Sequence, residues 1–258
     1  MEEIIFQEKY TIRSYETDAF SKVSLTALCN FFQDIAGKHA SKLNFGFDYM
    51  ISKKLFWVLS RLKVEIFKYP GWREEIFIKT WPSGTKGLLA YRDFQILDKY
   101  SNILGLAKSG WLAISHTTRR PQKVDFTTEL LPALPDKCAL KDPLDKLPQV
   151  ENSEIGDIFR VRFSDLDMNK HVNNVKYIQW ILDSYPIEMK ERLWLNSFEI
   201  NFLAESTINN EIEVHIQRNQ KEELSYLHSL IRKDDNKEIC RAIAVWRNNN
   251  YRSQIRKE

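Results

Sequence analysis

Cysteine is scarce, and the few present cannot form a framework. Cys29, Cys138 and Cys240 are odd in number, lie far apart and include no C-x-x-C pair. That spacing supports neither disulfides nor a zinc site, so each reads as a free thiol, and no metal or other cofactor is called for. Glycine and proline are sparse too, 8 of each in 258 residues, which excludes collagen-like and low-complexity chains. No apolar run approaches the roughly 18 residues of a membrane span. The opening stretch, MEEIIFQEKYTIRSYE, carries early acids and strand-like alternation where an export signal would have a basic region followed by an apolar one. The expectation is a soluble chain that stays in the cytoplasm where it is made, with no membrane partner.

Charge of one sign is also lacking. The net charge is only +3, and Lys and Arg are interspersed with Asp and Glu. Nucleic-acid binding would need a basic face or a stacking motif, and neither is found. What remains, 43% hydrophobic and 28% charged over 258 residues, is an ordinary globular composition, long enough for one large domain or two modest ones.

Prolines mark a division. Pro132, Pro135, Pro143 and Pro148 fall in one polar stretch, LPALPDKCALKDPLDKLPQVENSE, a linker signature. The expected organisation is a domain over 1–133, a linker over 134–155 and a second domain over 156–258. The halves repeat. A shift of 149 positions, from Asp18 to Asp167, also lays Arg13 on Arg162, Ile12 on Val161, Val23 on Val172, Phe31 on Trp180 and Asp34 on Asp183.

Each half reads as one strand, a polar turn, a helix of about four turns and some four strands. In the first half the helix stripe is Leu25, Leu28, Cys29, Phe32 and Ala36, and the strands are Trp57–Tyr69, Glu74–Trp81, Leu88–Leu97 and Ile103–Ile114. In the second half they are Trp194–Leu203, Glu211–Gln217, Leu224–Arg232 and Glu238–Trp246. Ile212, Val214 and Ile216 alternate with Glu213, His215 and Gln217, the pattern of a sheet with one covered face. The pattern is α+β: antiparallel sheets, each curled around one long helix.

The densest cluster of useful chemistry lies in RFSDLDMNKHVNNVKYIQWILDSY, residues 162–185. Asp167, Asn169 and His171 alternate just before a helical face of Val175, Ile178, Ile181, Leu182 and Tyr185. On an extended approach, alternate residues project to one side and converge. Asn173 or Asn174 suits the helix N-cap, and the first-turn amides after it could hold a developing oxyanion. Such residues also serve as plain helix starts. The repeat separates the two readings, because the first half has Asp18, Phe20 and Lys22 at these positions: the Asp persists while amide and imidazole are gone. Function, not capping, accounts for the difference. Of the remaining histidines, His39 stands at the end of the first helix, and His116, His215 and His228 fall in expected strands or turns without acidic companions; all four read as structural. Trp57, Trp81, Phe94 and Trp111 read as core.

The chain resembles the acyl-acyl carrier protein thioesterases, double hotdog enzymes that hydrolyse the acyl thioester and so end fatty-acid synthesis. The likeness runs through IRSYETD, NFFQDIAGKHA, FWVLSR, KTWPSG, YRDF, SGWLAI and TTRRP, and is most specific in DLDMNKHVNNVKYIQWILDS. It implies a tandem hotdog fold, Asp167, Asn169 and His171 as the catalytic trio, and Glu205 in FLAES as a further acidic site residue. Plant members commonly have Cys after that Glu; here Ser206 stands there, which favours attack by water. With no plastid transit peptide ahead of the first strand, the chain looks like a bacterial member.

The partner implied is acyl carrier protein, through its phosphopantetheine-linked acyl chain, with a homodimer as an admissible assembly. The first hotdog, lacking the base, is expected to bind the acyl chain and the second to catalyse. In the second, His171 would be the base, Asp167 or Glu205 its support, and Asn169 with a helix-start amide the oxyanion site. The competing readings are an acyl-CoA thioesterase and a non-catalytic lipid-sensing hotdog protein.

Overall fold

The computed structural model describes residues 4–123 and 133–249 and divides into two compact units, Met1–Asp145 and Lys146–Glu258. In the first unit, β1 (Phe6–Thr11) leads through a 3-10 turn (Ser14–Glu16) into α1 (Leu25–Lys42) and a short α2 (Phe47–Ser52). Then come β2 (Leu55–Ile66), β3 (Glu75–Lys86), β4 (Leu89–Asp98), β5 (Ile103–Ser115) and a two-residue β6 (Pro121–Gln122). The sheet is antiparallel, in the order β1-β3-β4-β5-β2, with β6 on β5.

The second unit repeats the plan. β7 (Glu154–Arg160), a 3-10 turn (Phe163–Asp165), α3 (Asn174–Asp183), α4 (Ile187–Arg192), β8 (Leu193–Phe202), β9 (Glu211–Arg218), β10 (Ser225–Arg232) and β11 (Lys237–Asn248) follow in turn. The strand order β7-β9-β10-β11-β8 is that of the first sheet, element for element.

The helices form where apolar residues recur on one face and a cap is at hand. Ser24 accepts from the Ala27 amide at the start of α1, and Asn173 accepts from the Val175 amide at the start of α3. The expected stripe of the first helix, Leu25, Leu28, Cys29, Phe32 and Ala36, is buried; of the second, Val175, Ile178 and Ile181 are buried, Leu182 is half-buried, and Tyr185 is buried just past the end of α3. Burying each such side chain is worth about 1.5–3 kcal/mol, so packing and not propensity holds these helices. Their lengths differ from the equal helices expected, at 18 residues for α1 and 10 for α3. Pro186 stands three residues past Asp183 and ends any continuation of α3.

Two other expectations are revised. β3 does not stop at Pro82-Ser83-Gly84 but runs on to Lys86 across a bulge between Pro82 and Gly84, where Gly84 takes φ 106°. A proline without an amide donor and a glycine free to adopt positive φ are the residues a bulge uses. The proline-rich stretch is also no loose connection; Pro132 lies outside the described residues. The Leu134 amide donates to the Pro82 carbonyl, Trp81 Nε1 to the Lys137 carbonyl at 2.7 Å, and the Ala139 amide to Asp93 Oδ1 at 2.8 Å. Leu140, Leu144 and Leu147 are buried, so short apolar anchors between the prolines strap the chain down. The unit boundary falls inside this stretch, after Asp145.

In the second unit, His228 of β10 is completely buried and shares a 2.7 Å hydrogen bond with the Tyr185 hydroxyl. Burial lowers its pKa from the ordinary 6.5 to about 3. Between those values the unfolded chain binds a proton at this position that the folded one refuses, so stability falls as pH drops through that window. The slope is about 1.4 kcal/mol per pH unit for the one proton. His228→Gln, which keeps a partner for Tyr185, should flatten the acid side of the stability curve by that proton in denaturant titrations at pH 4 to 7; an unchanged slope would mean His228 is not neutral in the fold.

Candidate active site

The turn before α3 is built by a single carboxylate. Asp167 Oδ1 accepts the Asn169 amide at 2.8 Å and the His171 amide at 3.2 Å, while the Asp167 amide donates to the His171 carbonyl at 2.7 Å. Lys170 takes φ 63° at the corner, and a bridge joins Leu166 to Val172. The first unit forms the same turn with the same chemistry. Asp18 Oδ1 accepts the Phe20 amide at 2.8 Å and the Lys22 amide at 3.0 Å, Ser21 takes φ 58°, and Thr17 bridges Val23. Asp in this position is therefore architectural in both copies. Only in the second copy does the turn it shapes carry an amide and an imidazole.

A neighbouring segment completes the group. The Val172 amide donates to the Ser206 carbonyl at 2.9 Å, and this backbone tie sets Glu205 beside His171, with Oε2 3.4 Å from Nε2. The corresponding tie in the first unit runs from Val23 to Pro70, which puts Tyr69 where the second unit has Glu205. His171 is about one-third exposed and Glu205 about half, so both are reachable from solvent. Asn169 is exposed, its Nδ2 3.5 Å from Asp167 Oδ2. The structure thus gathers Asp167, Asn169, His171 and Glu205 at one place.

Two details could not be read from sequence. The N-cap is Asn173, whose side chain engages the Val175 amide and whose carbonyl engages the Lys176 amide at 2.8 Å, so those first-turn donors are occupied. Arg232, in no motif, donates from Nη1 to the Glu205 carbonyl at 2.6 Å and is gripped by Asp235 through Nε at 2.8 Å. Its only sequence signal is an Arg followed three residues later by Asp at a hairpin turn. Ser206 is fully buried; its Oγ makes no hydrogen bond of good geometry, and the Tyr177 phenol is the polar group it faces.

The other histidines are mostly packed. His39 is buried against Arg92 Nη1 at 2.9 Å and stacks on Phe6; His116 is exposed, its ring tilted at 50° to that of Phe56. His215, expected without an acidic companion, has one: its Nε2 is 3.3 Å from Glu213 Oε2 and its Nδ1 2.9 Å from Ser153 Oγ. Residues two apart on a strand share a face, and the strand assignment itself held that pairing. Among the described residues no three His, Cys, Asp or Glu side chains are grouped to hold a metal ion, and no helix is long and apolar enough to cross a membrane.

The sequence profile of the acyl-ACP thioesterase N-terminal domain matches residues 3–130, and that of the C-terminal domain matches residues 149–248. The chain belongs to the acyl-ACP thioesterase family. It is 30% identical to oleoyl-acyl carrier protein thioesterase 1, chloroplastic, of Arabidopsis thaliana over 94% of this chain and 76% of that one. It is also 30% identical to dodecanoyl-[acyl-carrier-protein] hydrolase, chloroplastic, of Cinnamomum camphora, over 95% and 68%. Among solved structures, an acyl-ACP thioesterase from Bacteroides thetaiotaomicron superposes with TM-score 0.85 at 25% identity, covering 95% of this chain and 99% of that one. The fold is the α+β double hotdog, and the family reaction is hydrolysis of the acyl-ACP thioester with release of the fatty acid.

Because Asp18 and Asp167 hold equivalent turns, Asp18→Ala should cost about 1 kcal/mol of stability, the scale of losing an acceptor for turn amides. It should leave turnover per folded molecule unchanged. Thermal unfolding and single-turnover assays check both halves of this expectation; a rate loss without a stability loss would give Asp18 a chemical role.

Proposed function

We propose that Glu205, His171 and Asn169 carry out acyl-ACP hydrolysis on a turn held by Asp167. The observation that carries this reading is the 3.4 Å approach of Glu205 Oε2 to His171 Nε2. It supports Glu205 as the imidazole's partner and leaves Asp167, whose Oδ1 already serves two backbone amides, as the residue that positions the base. In this reading Nε2 carries the proton on the Glu205 side and Nδ1 presents the lone pair.

Nδ1 takes a proton from water as the water oxygen bonds to the thioester carbon, and the carbonyl electron pair moves onto oxygen. Asn169 Nδ2 donates to that oxyanion. The tetrahedral species collapses, the carbon–sulfur bond breaks, and the imidazolium returns its proton to the departing phosphopantetheine thiolate. The products are a free fatty acid and the unloaded carrier. Ser206, buried and without a hydrogen bond to the base, supports water as the nucleophile.

The first unit has Phe20 and Lys22 at the turn positions of Asn169 and His171, and Tyr69 at that of Glu205. Without the base but with its sheet and helix intact, it is assigned the acyl chain, and the second unit the chemistry.

His171→Ala should lower the acyl-ACP hydrolysis rate about a hundredfold to ten-thousandfold in a protein that still folds. Glu205→Gln should lower it less, since a neutral amide supports the imidazolium weakly. Near-normal turnover in folded His171→Ala would remove it from the mechanism. Ser206→Ala should keep most activity, and mass spectrometry after a rapid acid quench should find no acyl group on the wild-type Ser206; an acylated serine would replace water with a covalent route.

A further inference from the structure

The catalytic turn differs from its non-catalytic twin in a second way, on its outer surface. Phe163 and Met168 are 86% and 83% exposed, an unfavourable placement for large apolar side chains in a single turn. At the equivalent positions the first unit has Ser14 and Ala19. That unit does expose Tyr15, but Arg13 Nη1 holds its hydroxyl at 2.8 Å, and the Tyr15 position is Ser164 in the second copy.

Charge differs in step. Arg160 and Lys170 stand where the first unit has Thr11 and Ser21, and Arg162 where it has Arg13. Arg13 lies 3.8 Å from Glu16. Asp165, at the Glu16 position, is buried and instead lies 3.4 Å from Lys176, and among the described residues none of Arg160, Arg162 and Lys170 forms an ion pair. The turn bearing His171 therefore presents two uncovered apolar side chains on a segment with three cations outside any ion pair, whereas the exposed rings beside its twin, Tyr15 and Trp72, have Arg13 and Arg73 packed over them.

We infer that Phe163 and Met168, with Arg160, Arg162 and Lys170 around them, form the docking face for the carrier protein, taken as a small acidic partner with carboxylates around the serine that bears its arm. This rests on the thioesterase reading. A thioester at the end of a tethered arm reaches His171 only if the carrier settles within an arm's length of this turn, so the surface beside it has to meet the carrier's own. An apolar centre inside a charged rim is the anatomy of a specific, separable contact. Unpaired cations draw in an acidic partner and make association salt-dependent.

The twin supplies the test substitutions, because its residues already occupy the same turn geometry. The combined variant Arg160→Thr, Phe163→Ser, Met168→Ala and Lys170→Ser is compared with wild type in two measurements. The first is binding of unacylated holo-carrier protein, followed by titration at low and moderate salt, which needs no catalysis. Wild type should bind, more weakly as salt rises, and the variant should bind at least about tenfold more weakly with little salt response. The second is hydrolysis of an acyl-pantetheine thioester, which lacks the carrier and should proceed at similar rates in both. Unchanged carrier binding in the variant, or an equal loss on acyl-pantetheine, would overturn the assignment. Phe163→Ser alone, which leaves residues 167–171 unchanged, should give part of the binding loss and none of the acyl-pantetheine loss. A wild type that binds carrier yet cleaves neither thioester would leave this face standing and sink the thioesterase reading.

Discussion

A carboxylate that accepts successive backbone amides fixes the turn on which the site is built. A tight turn ahead of a helix leaves several N–H groups pointing inward, and without an acceptor they would cost more than the turn can supply. Asp167 meets that need, and in doing so sets the φ of Lys170, the bridge from Leu166 to Val172 and the directions in which Asn169 and His171 leave the backbone. Asp18 does the same in the other unit for Phe20 and Lys22. What the carboxylate supplies is geometry, and either set of side chains can ride on it.

From that turn the rest of the site follows by backbone hydrogen bonds. Val172 ties to Ser206, which brings Glu205 to His171, and Arg232, itself gripped by Asp235 of the β10–β11 turn, fixes the Glu205 carbonyl. The position of a solvent-reachable acid is thus decided by main-chain contacts at both ends of a short loop. This arrangement lets the Glu205 and His171 side chains remain partly hydrated, in keeping with chemistry that needs a water molecule at hand. It also explains why Ser206 can differ from the cysteine common in plant relatives without disturbing the loop: the carbonyl makes the structural bond, and the side chain is packed away.

Much of this was legible in the sequence because two copies of one fold are present. Alternation gave the strands, the apolar stripe gave each helix, and the shift from Asp18 to Asp167 aligned both turns. What escaped was what periodicity does not encode. β3 passes through Pro82-Ser83-Gly84 because a bulge absorbs the missing amide, and a bulge and a turn use the same residues. The proline-rich stretch is strapped down by hydrogen bonds to Pro82, Trp81 and Asp93, partners remote in sequence. The choice between Asp167 and Glu205 as companion to His171 was open for the same reason: the nearer acid in sequence is consumed by the backbone, and the distant one arrives through the sheet.

Duplication also explains how a site and a docking face can arise together at one turn. The cost of folding the turn is met by the helix stripe behind it and the carboxylate within it, and both copies keep these. Side chains on its outer face contribute little to stability, as Ser14, Ala19 and Ser21 in one copy show by standing where Phe163, Met168 and Lys170 stand in the other. Such positions are free to change without loss of fold. Large exposed apolar groups at them oppose solubility and gain nothing from packing, so their presence in the copy that also has the imidazole ties them to what that copy must meet.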